Sequence, residues 1–392
     1  MRSIMDPRFL DAARCDDPVT GLTHRFYRYP AQFSPKFARA AIMAFTQPDD
    51  TVLDPFMGGG TTLVEACALG RRAVGTDINS LSVFVSRVKT TVLSDHDLGE
   101  VLAWADLVVN EISLHDLVDT RDAPIDRRYQ RNISDKRTWP IRKMLEMALP
   151  RTKLLATEYQ RRFARCVLLK TAQWALDCRK DVPRVGAFRK RVIQNVVQMS
   201  EGARKFALAT AGQHAKRELA ACIHRPASEI GSESSIATFM PPRLILTSPP
   251  YPGVHVLYHR WQVQGRRETP APYWIADSFD GRGATFYTFG DRKQHGLTAY
   301  YDSAYRAFNA LSKIADAKTT VVQLVAFSDP AWQLPKYLAT MKRAGFAEIV
   351  FRCLSDSPDG RLWRKVPHRK FYADQKGNTM ASNEVVLFHH LA

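Results

Sequence analysis

The sequence predicts an α/β fold in which a parallel sheet is split by a large, basic and mainly helical insertion. Strand-like apolar runs alternate with helical runs before residue 97, and the alternation returns after residue 240. Such alternation is typical of parallel strands joined by helices. Between the two portions the pattern is helical and rich in arginine. We therefore expect sheet portions at residues 1–97 and 243–392 and an insertion at 98–242.

The expected elements follow from apolar periodicity. Strands are predicted at residues 51–53, 73–75, 244–246, 319–327, 346–353 and 384–389. Helices of the sheet portions are predicted at 37–45, 61–69, 81–88, 300–314 and 334–344. Long helical patterns in the insertion cover 152–176 and 189–222, and 226–242 is expected to be a returning loop.

Composition excludes several classes of protein. The chain has 392 residues, 45% hydrophobic and 24% charged, which is ordinary for a globular protein. No apolar run is long enough to span a bilayer, and the N-terminus lacks the apolar core of a secretory signal, so we expect a cytoplasmic protein. Six cysteines without a CxxC pair predict neither a metal site nor a disulfide framework.

The positive charge is concentrated in the middle of the chain. Residues 121–225 contain 25 Lys and Arg against 9 Asp and Glu, an excess of 16, while the whole chain has a net charge of +17. An excess of this size favours polyanionic partners. The insertion is therefore the expected contact with nucleic acid.

The first chemical motif is the stretch LDPFMGGGTT at residues 53–62. Its glycines let the backbone approach a ligand closely, and the following helix start offers free N–H groups to a carboxylate or phosphate. Asp77 ends the next strand, in VGTD, where a carboxylate binds a ribose diol in doubly wound nucleotide-binding folds. The alternative is that Asp77 caps the helix beginning near Asn79.

The second motif is LILTSPPY at residues 244–251, an apolar strand that stops at two prolines and an aromatic residue. Proline has no N–H donor, so backbone carbonyls there are free to accept hydrogen bonds from an amine. The Ser248 hydroxyl is a further acceptor, and Tyr251 offers a face on which a base stacks. A plain loop is the alternative interpretation.

Together the motifs resemble those of the amino-methylating DNA methyltransferases, which read Asp-Pro-Phe-x-Gly-x-Gly-Thr and Ser/Asp-Pro-Pro-Tyr. The resemblance covers roughly residues 24–90 and 240–392 and omits the insertion. It implies a Rossmann-like methyltransferase sheet and S-adenosyl-L-methionine as cofactor. Ser248 resembles the cytosine-N4 subgroup, whereas Asp or Asn in that position is more usual among adenine-N6 enzymes.

The resemblance also assigns the cofactor residues. Phe56, Gly58, Gly60 and Thr61 would surround the methionine end, Asp54 would lie near its ammonium, and Asp77 would bind the ribose hydroxyls. Phe33, in the looser match RYPAQFSP, would close over the methionine moiety. No residue at 91–97 matches the position that contacts the adenine after the third strand.

The catalytic residues implied are Ser248, Pro249, Pro250 and Tyr251. The Ser248 hydroxyl and the Pro249 carbonyl would accept the two amine hydrogens, and Tyr251 would stack on the base. A base in a duplex must be flipped out to reach such a pocket. Cytosine-C5 methylation is excluded because no cysteine nucleophile lies near Pro250.

Double-stranded DNA is the expected partner, together with a cognate restriction endonuclease acting on the same site. The insertion is expected to recognise the target. Residues 254–296, which combine aromatic rings with Arg266 and Arg267, would form a mobile loop that contacts DNA or a folded flap. Three alternatives remain: an adenine-N6 DNA methyltransferase, an RNA amino-methyltransferase and a non-enzymatic DNA-binding protein.

Overall fold

The central feature of the computed structural model is an eight-stranded sheet with helices on both faces. The structure describes residues 7–15, 17, 19–29, 34–116, 127–213, 217–252, 260–265, 267–279, 294–354, 357–365 and 383–392. The sheet strands are β1 (Thr51–Asp54), β2 (Arg72–Asp77), β3 (Ala220–His224), β4 (Leu244–Thr247), β7 (Thr320–Ala326), β8 (Phe346–Ile349), β9 (Leu362–Lys365) and β10 (Asn383–Leu391).

The helices follow the chain in the expected alternation. They are α1 (Pro7–Arg14), α2 (Pro35–Phe45), α3 (Thr61–Ala68), α4 (Ser80–Lys89), α5 (Asp95–Glu111), α6 (Trp139–Arg151), α7 (Glu158–Leu176), α8 (Val185–Ala209), α9 (Ala271–Ala276), α10 (Gln294–Ser312) and α11 (Pro330–Arg343). A small hairpin of β5 (Trp261–Val263) and β6 (Arg267–Thr269) lies outside the main sheet. None of the described helices is long and apolar enough to cross a bilayer.

The strand order is β3-β2-β1-β4-β7-β10-β8, with β9 also pairing with β10. The first five strands are parallel, and β10 runs antiparallel to its neighbours. Strands β1 and β4 are buried throughout, as expected for parallel strands covered on both faces. The predicted Rossmann-like α/β class is therefore confirmed.

The order reverses between β1 and β4, which lie side by side with Val52 opposite Leu244 and Leu53 opposite Ile245. In open α/β sheets, ligands bind outside the carboxyl ends of the strands at such a reversal. The glycine-rich motif follows β1 and the Ser-Pro-Pro-Tyr motif follows β4. The fold thus brings both motifs to one edge of the sheet.

The sheet includes one strand from the region predicted to be the helical insertion. The helix expected at 189–222 is wrong beyond Ala209, because Ala220–His224 forms β3 beside β2. This short edge strand alternates between buried and half-buried residues directly after a long helix, so its apolar spacing was read as a continuation of that helix. The strand expected at 346–353 is also shorter, since β8 ends at Ile349 and a 3-10 turn follows.

Helices α5 to α8 therefore connect α4 to the edge strand β3. They share one apolar core with the sheet domain, in which Phe163 and Val167 of α7 are buried together with Leu81 and Val85 of α4. The helical region is consequently packed against the helix that follows Asp77.

Asp97 joins the two ends of this helical region. Its carboxylate completes a capping box with Ser94 at the start of α5 and accepts a 3.0 Å hydrogen bond from Gln160 Nε2 at the start of α7. It also pairs with Arg217, which precedes β3. Burial alone would raise the pKa of Asp97, but the hydrogen bonds from Ser94 and Arg217 lower it to about 2.

We predict that Asp97→Asn destabilises the protein by roughly 1–3 kcal/mol, because its buried hydrogen-bonding partners lose a charged acceptor. A lowered folded-state pKa stabilises the protein above pH ~4, and this contribution is lost as the pH falls toward 2. Urea unfolding between pH 7 and 3 should therefore show a shallower acid dependence for the variant. Asp95→Asn, on the exposed side of the same helix end, is the control. Equal acid dependence in wild type and Asp97→Asn would contradict this role.

Candidate active site at the switch point

The turn after β1 has a backbone shape that favours glycine. Gly58 has φ +46° and Gly60, the residue before α3, has φ +74°. A Cβ built on Gly60 would lie 2.6 Å from Ser86 Oγ, and one on Gly58 would lie 3.3 Å from the Tyr29 ring. The turn is therefore a close-packed cradle between α4 and Tyr29.

Three polar side chains of α4 hold this turn. Ser82 Oγ donates to the Gly58 carbonyl at 2.6 Å, and Lys89 Nζ donates to the Gly59 carbonyl at 2.7 Å. Ser86 Oγ also reaches the Gly58 carbonyl, at 3.3 Å. These residues were missed by sequence reasoning, although their spacing of four and three residues on an apolar helix is the signature of one polar stripe.

Asp77 lies directly beside the turn. Its Oδ2 accepts the Gly58 N–H at 2.9 Å and its Oδ1 accepts the Asn79 N–H at 2.8 Å. The residue that caps α4 is Asn79, whose Oδ1 accepts the Leu81 N–H at 3.0 Å. Burial raises the pKa of Asp77, while the two backbone N–H groups act in the opposite direction. The two N–H groups fix the orientation of a half-buried carboxylate at the end of β2.

Asp54 has a structural role that the sequence did not suggest. It is 2% exposed and accepts hydrogen bonds from Thr247 Oγ1 at 2.6 Å, Thr62 Oγ1 at 2.7 Å and the Phe56 N–H at 3.2 Å. Burial raises the pKa of this carboxyl to about 6, although the threonine hydrogen bonds lower it. Asp54 thus connects β1, β4 and α3, and its contact with a cofactor ammonium stays a prediction.

A chain of hydrogen bonds runs from the second motif to the last strand. Tyr251 OH donates to Glu384 Oε1 at 2.8 Å and lies 2.8 Å from Ser248 Oγ. Because the single phenolic proton goes to Glu384, Ser248 must donate its own proton to Tyr251, which leaves the serine oxygen as an acceptor. Glu384 is in turn paired with buried Arg364 at 3.4 Å. Neither Glu384 nor Arg364 was identified as a site residue from the sequence.

The two proline carbonyls differ in their surroundings. The Pro250 carbonyl accepts a 2.8 Å hydrogen bond from Tyr300 OH. Burial raises the pKa of Tyr300 well above its usual value, so this hydroxyl keeps its proton. The Pro250 carbonyl is thus already occupied, and the role of the Pro249 carbonyl as the acceptor for a substrate amine stays a prediction.

Three aromatic rings of the segment after the second motif are packed inside the protein. Trp261 and Tyr273 are each 2% exposed, and Trp274 is also buried. Trp261 Nε1 donates to Tyr27 OH at 2.9 Å, and Tyr273 OH donates to Asn79 Oδ1 at 3.1 Å. The interpretation of these three rings as a mobile DNA-contacting surface is therefore wrong. Tyr258, Arg266 and the predicted cofactor residue Phe33 lie outside the described residues.

The third strand of the sheet, β3, does not precede residues 91–97, which contain no match to the adenine-contacting position. It ends at His224, whose Nε2 hydrogen-bonds the Ile78 carbonyl at 3.0 Å. The Arg225 N–H donates to the Asp77 carbonyl at 3.1 Å. The segment after β3 therefore lies next to Asp77, which the sequence could not show because over a hundred residues separate the two strands.

A cleft of about 630 Å³ opens beside this edge, between α4 and the start of α7. Arg162 bridges Glu158 and Glu218, and Arg165 pairs with Asp277 at 3.4 Å. The basic residues that line the cleft are Arg87, Lys153, Arg161, Arg162, Arg165 and His224. Helical insertion and sheet domain thus form a shared basic surface.

A family model and several known proteins are similar to parts of this chain. Residues 13–83 match the N6/N4 DNA methylase family model. The chain is 38% identical over 96 residues to Type II methyltransferase M.MvaI of Kocuria varians, covering 24% of this chain and 21% of that protein. It is 32% identical over 83 residues to the DNA adenine methyltransferase YhdJ of Escherichia coli, covering 21% and 28%.

A tRNA (guanine(10)-N2)-dimethyltransferase of Methanothermobacter thermautotrophicus is 43% identical over 56 residues, or 14% of this chain and 17% of that protein. In each case the match spans less than a third of the relative's length. The family match includes the glycine turn and Asp77. Residues 13–83 of the chain are thus similar to the N6/N4 family of DNA methylases, and this similarity implies S-adenosylmethionine as the methyl donor.

Proposed function

We propose that the chain is a DNA methyltransferase that transfers a methyl group from S-adenosylmethionine to the exocyclic N4 amine of cytosine in duplex DNA. The observation that carries the proposal is the adjacency of β1 and β4, which brings the glycine turn and the Ser-Pro-Pro-Tyr motif to one edge of the sheet. Alignment of two reacting groups is the main requirement of a direct methyl transfer.

The residues around the turn fit the cofactor. Gly58 and Gly60 leave a backbone surface that a Cβ would obstruct, and the start of α3 beside Thr61 attracts a carboxylate. The fixed carboxylate of Asp77 suits a ribose diol. Phe56, half-buried beside the turn, would contact the methionine chain, and Phe33 remains a proposed contact. When bound, the cofactor supplies an electrophilic methyl group.

The second motif fits an exocyclic amine. The proton of Ser248 is directed to Tyr251, so its oxygen and the Pro249 carbonyl are suited to accept the two amine hydrogens. These bonds would orient the nitrogen lone pair without a covalent intermediate. The Tyr251 ring, anchored through its hydroxyl to Glu384, would stack on the flipped base and contribute roughly 1–3 kcal/mol.

Ser248 favours cytosine N4 over adenine N6 by its resemblance to the N4 subgroup. Two relatives support the alternatives, since one is named a DNA adenine methyltransferase and another a tRNA methyltransferase. A cognate restriction endonuclease is proposed because a relative is named a Type II methyltransferase. The proposed location is the cytoplasm, where the DNA substrate would be.

We further propose that the helical region recognises the DNA target. Its support is the concentration of positive charge at residues 121–225 and the basic cleft beside the carboxyl edge of the sheet. Several arginines of that cleft pair with carboxylates. The proposed phosphate contacts are Arg127, Arg128 and Arg131, which are exposed within the same basic segment.

Variants of the two motifs should separate binding from chemistry. Asp77→Ala should weaken S-adenosylhomocysteine binding by roughly ten- to a hundredfold, because hydrogen bonds from ribose to a carboxylate are lost. Tyr251→Ala should leave that affinity nearly unchanged and slow methyl incorporation into DNA by roughly tenfold or more, through loss of stacking. Calorimetry and single-turnover assays give the two readouts. Equal loss of cofactor affinity in both variants would contradict the division of roles.

The recognition proposal predicts a change in salt dependence. Arg127→Gln, Arg128→Gln and Arg131→Gln together should reduce the slope of log affinity against log salt by up to about 3, since each phosphate contact contributes about 0.9. Fluorescence anisotropy with duplex DNA between about 50 and 200 mM salt measures it. The control replaces Lys318, Lys342 and Arg343 by Gln, because these residues lie near the amino ends of β7 and β8, away from the proposed site. An unchanged slope in the arginine variant would place recognition outside this segment.

A further inference from the structure

Lys89 is a lysine buried at the end of α4 with 0% exposure. Its Nζ donates to the Gly59 carbonyl at 2.7 Å, and none of the carboxylates in the described residues forms an ion pair with it. Lysine is almost never fully buried unless it is paired, because an ammonium loses its hydration. The burial of this unpaired charge against the glycine turn calls for a functional reason.

The side chains that face Lys89 supply no free negative charge. On α7 lie Cys166, whose thiol pKa is raised to about 12 by burial, and Lys170, which is itself cationic. On the N-terminal side lies His24, whose pKa is lowered by burial. Its partner Glu65 is bound by both His24 and Arg39. Among the residues that the structure describes, none beside Lys89 therefore supplies a compensating negative charge.

An anion that compensates the Lys89 ammonium is expected on the other side of the glycine turn. The Gly58 and Gly59 carbonyls are held by α4, and α3 begins at Thr61 immediately after them. The start of a helix attracts a carboxylate through its free N–H groups. The backbone of the turn thus separates the Lys89 ammonium from the expected position of the cofactor's carboxylate.

We propose that Lys89 is a positioning residue for the methyl donor: its ammonium attracts the amino-acid carboxylate of the cofactor across the glycine turn while its hydrogen bond fixes the Gly59 carbonyl. This rests on the proposed function, which assigns the turn to the methionine end of S-adenosylmethionine. The interaction acts on the carboxylate alone, so it distinguishes the cofactor from adenosine derivatives that lack this group.

A pH effect follows from the same geometry. Burial lowers the pKa of Lys89 to about 7. A carboxylate across the turn favours the charged lysine and raises this pKa, so affinity for the carboxylate should decline as the pH rises from about 6.5 to 8.5. Asp54 and Asp77, whose pKa values are raised by burial, also lie at the site, but the amine and the ribose that they would contact are present in both ligands.

The test compares two ligands by calorimetry: S-adenosylhomocysteine, and its decarboxylated analogue, which keeps the amine. Lys89→Met should weaken S-adenosylhomocysteine binding on the order of tenfold, as expected for a charge interaction at intermediate dielectric. Binding of the analogue should change by less than about twofold. Lys170→Met removes the neighbouring lysine, which hydrogen-bonds Gln198 rather than the turn, and should affect neither ligand.

Equal weakening of both ligands by Lys89→Met would overturn the inference, because it would show a purely structural role. If this variant does not fold, the pH dependence of binding to the wild-type protein tests the same inference. Between about pH 6.5 and 8.5, the affinity for S-adenosylhomocysteine should fall more steeply than the affinity for the analogue. Identical pH profiles would overturn it. Failure of wild-type protein to bind S-adenosylhomocysteine at all would overturn the proposed function as well.

Discussion

The arrangement of the site depends on the buried carboxylate of Asp54. Its oxygens accept hydrogen bonds from Thr247 at the end of β4 and Thr62 at the start of α3, while Asp54 itself ends β1. A buried carboxylate stabilises the fold only when its oxygens accept hydrogen bonds in this way. Loss of one partner leaves a buried polar atom without a hydrogen bond, which destabilises the protein. The two motifs are thus held together by one enclosed hydrogen-bond junction at the reversal of strand order.

Further junctions extend from this one to distant parts of the chain. Asn79 connects the start of α4 to Tyr29 on one side and Tyr273 on the other. On the side of β4, Tyr251 and Glu384 connect the Ser-Pro-Pro-Tyr motif to β10 and, through Arg364, to the Ala13 carbonyl. The direction of the proton in this second chain leaves the Ser248 oxygen as a hydrogen-bond acceptor.

Much of the fold could be predicted from local patterns. Apolar runs form strands β1, β2, β4, β7 and β10, as expected for strands in the interior of a covered sheet. Gly58 and Gly60 in the turn have positive φ angles, which favour glycine. The position of Asp77 at the end of β2, beside the glycine turn, was also predicted, whereas its contact with a ribose stays a prediction. These features are encoded within a few neighbouring residues, which is why sequence reasoning recovered them.

Other features depend on contacts between segments far apart in the chain. Strand β3 pairs with β2 across the helical region, so no local signal linked His224 to Asp77. Glu384 lies 133 residues from Tyr251, and its role appears only when β10 folds against β7. The net positive charge of the helical region was evident from the sequence. Its ion pairs were not, because Glu218 and Asp277, which pair with Arg162 and Arg165, are distant in the chain.

The central claim is that the two motifs together methylate the exocyclic amine of cytosine in DNA. The most direct measurement is mass spectrometry of nucleosides from the DNA of a host that lacks such modification and expresses the protein. We predict N4-methylcytosine, and its disappearance when Ser248 is replaced by alanine in the same host. Detection of N6-methyladenine alone would contradict the choice of base, and unmodified DNA with methylated RNA would contradict the substrate itself.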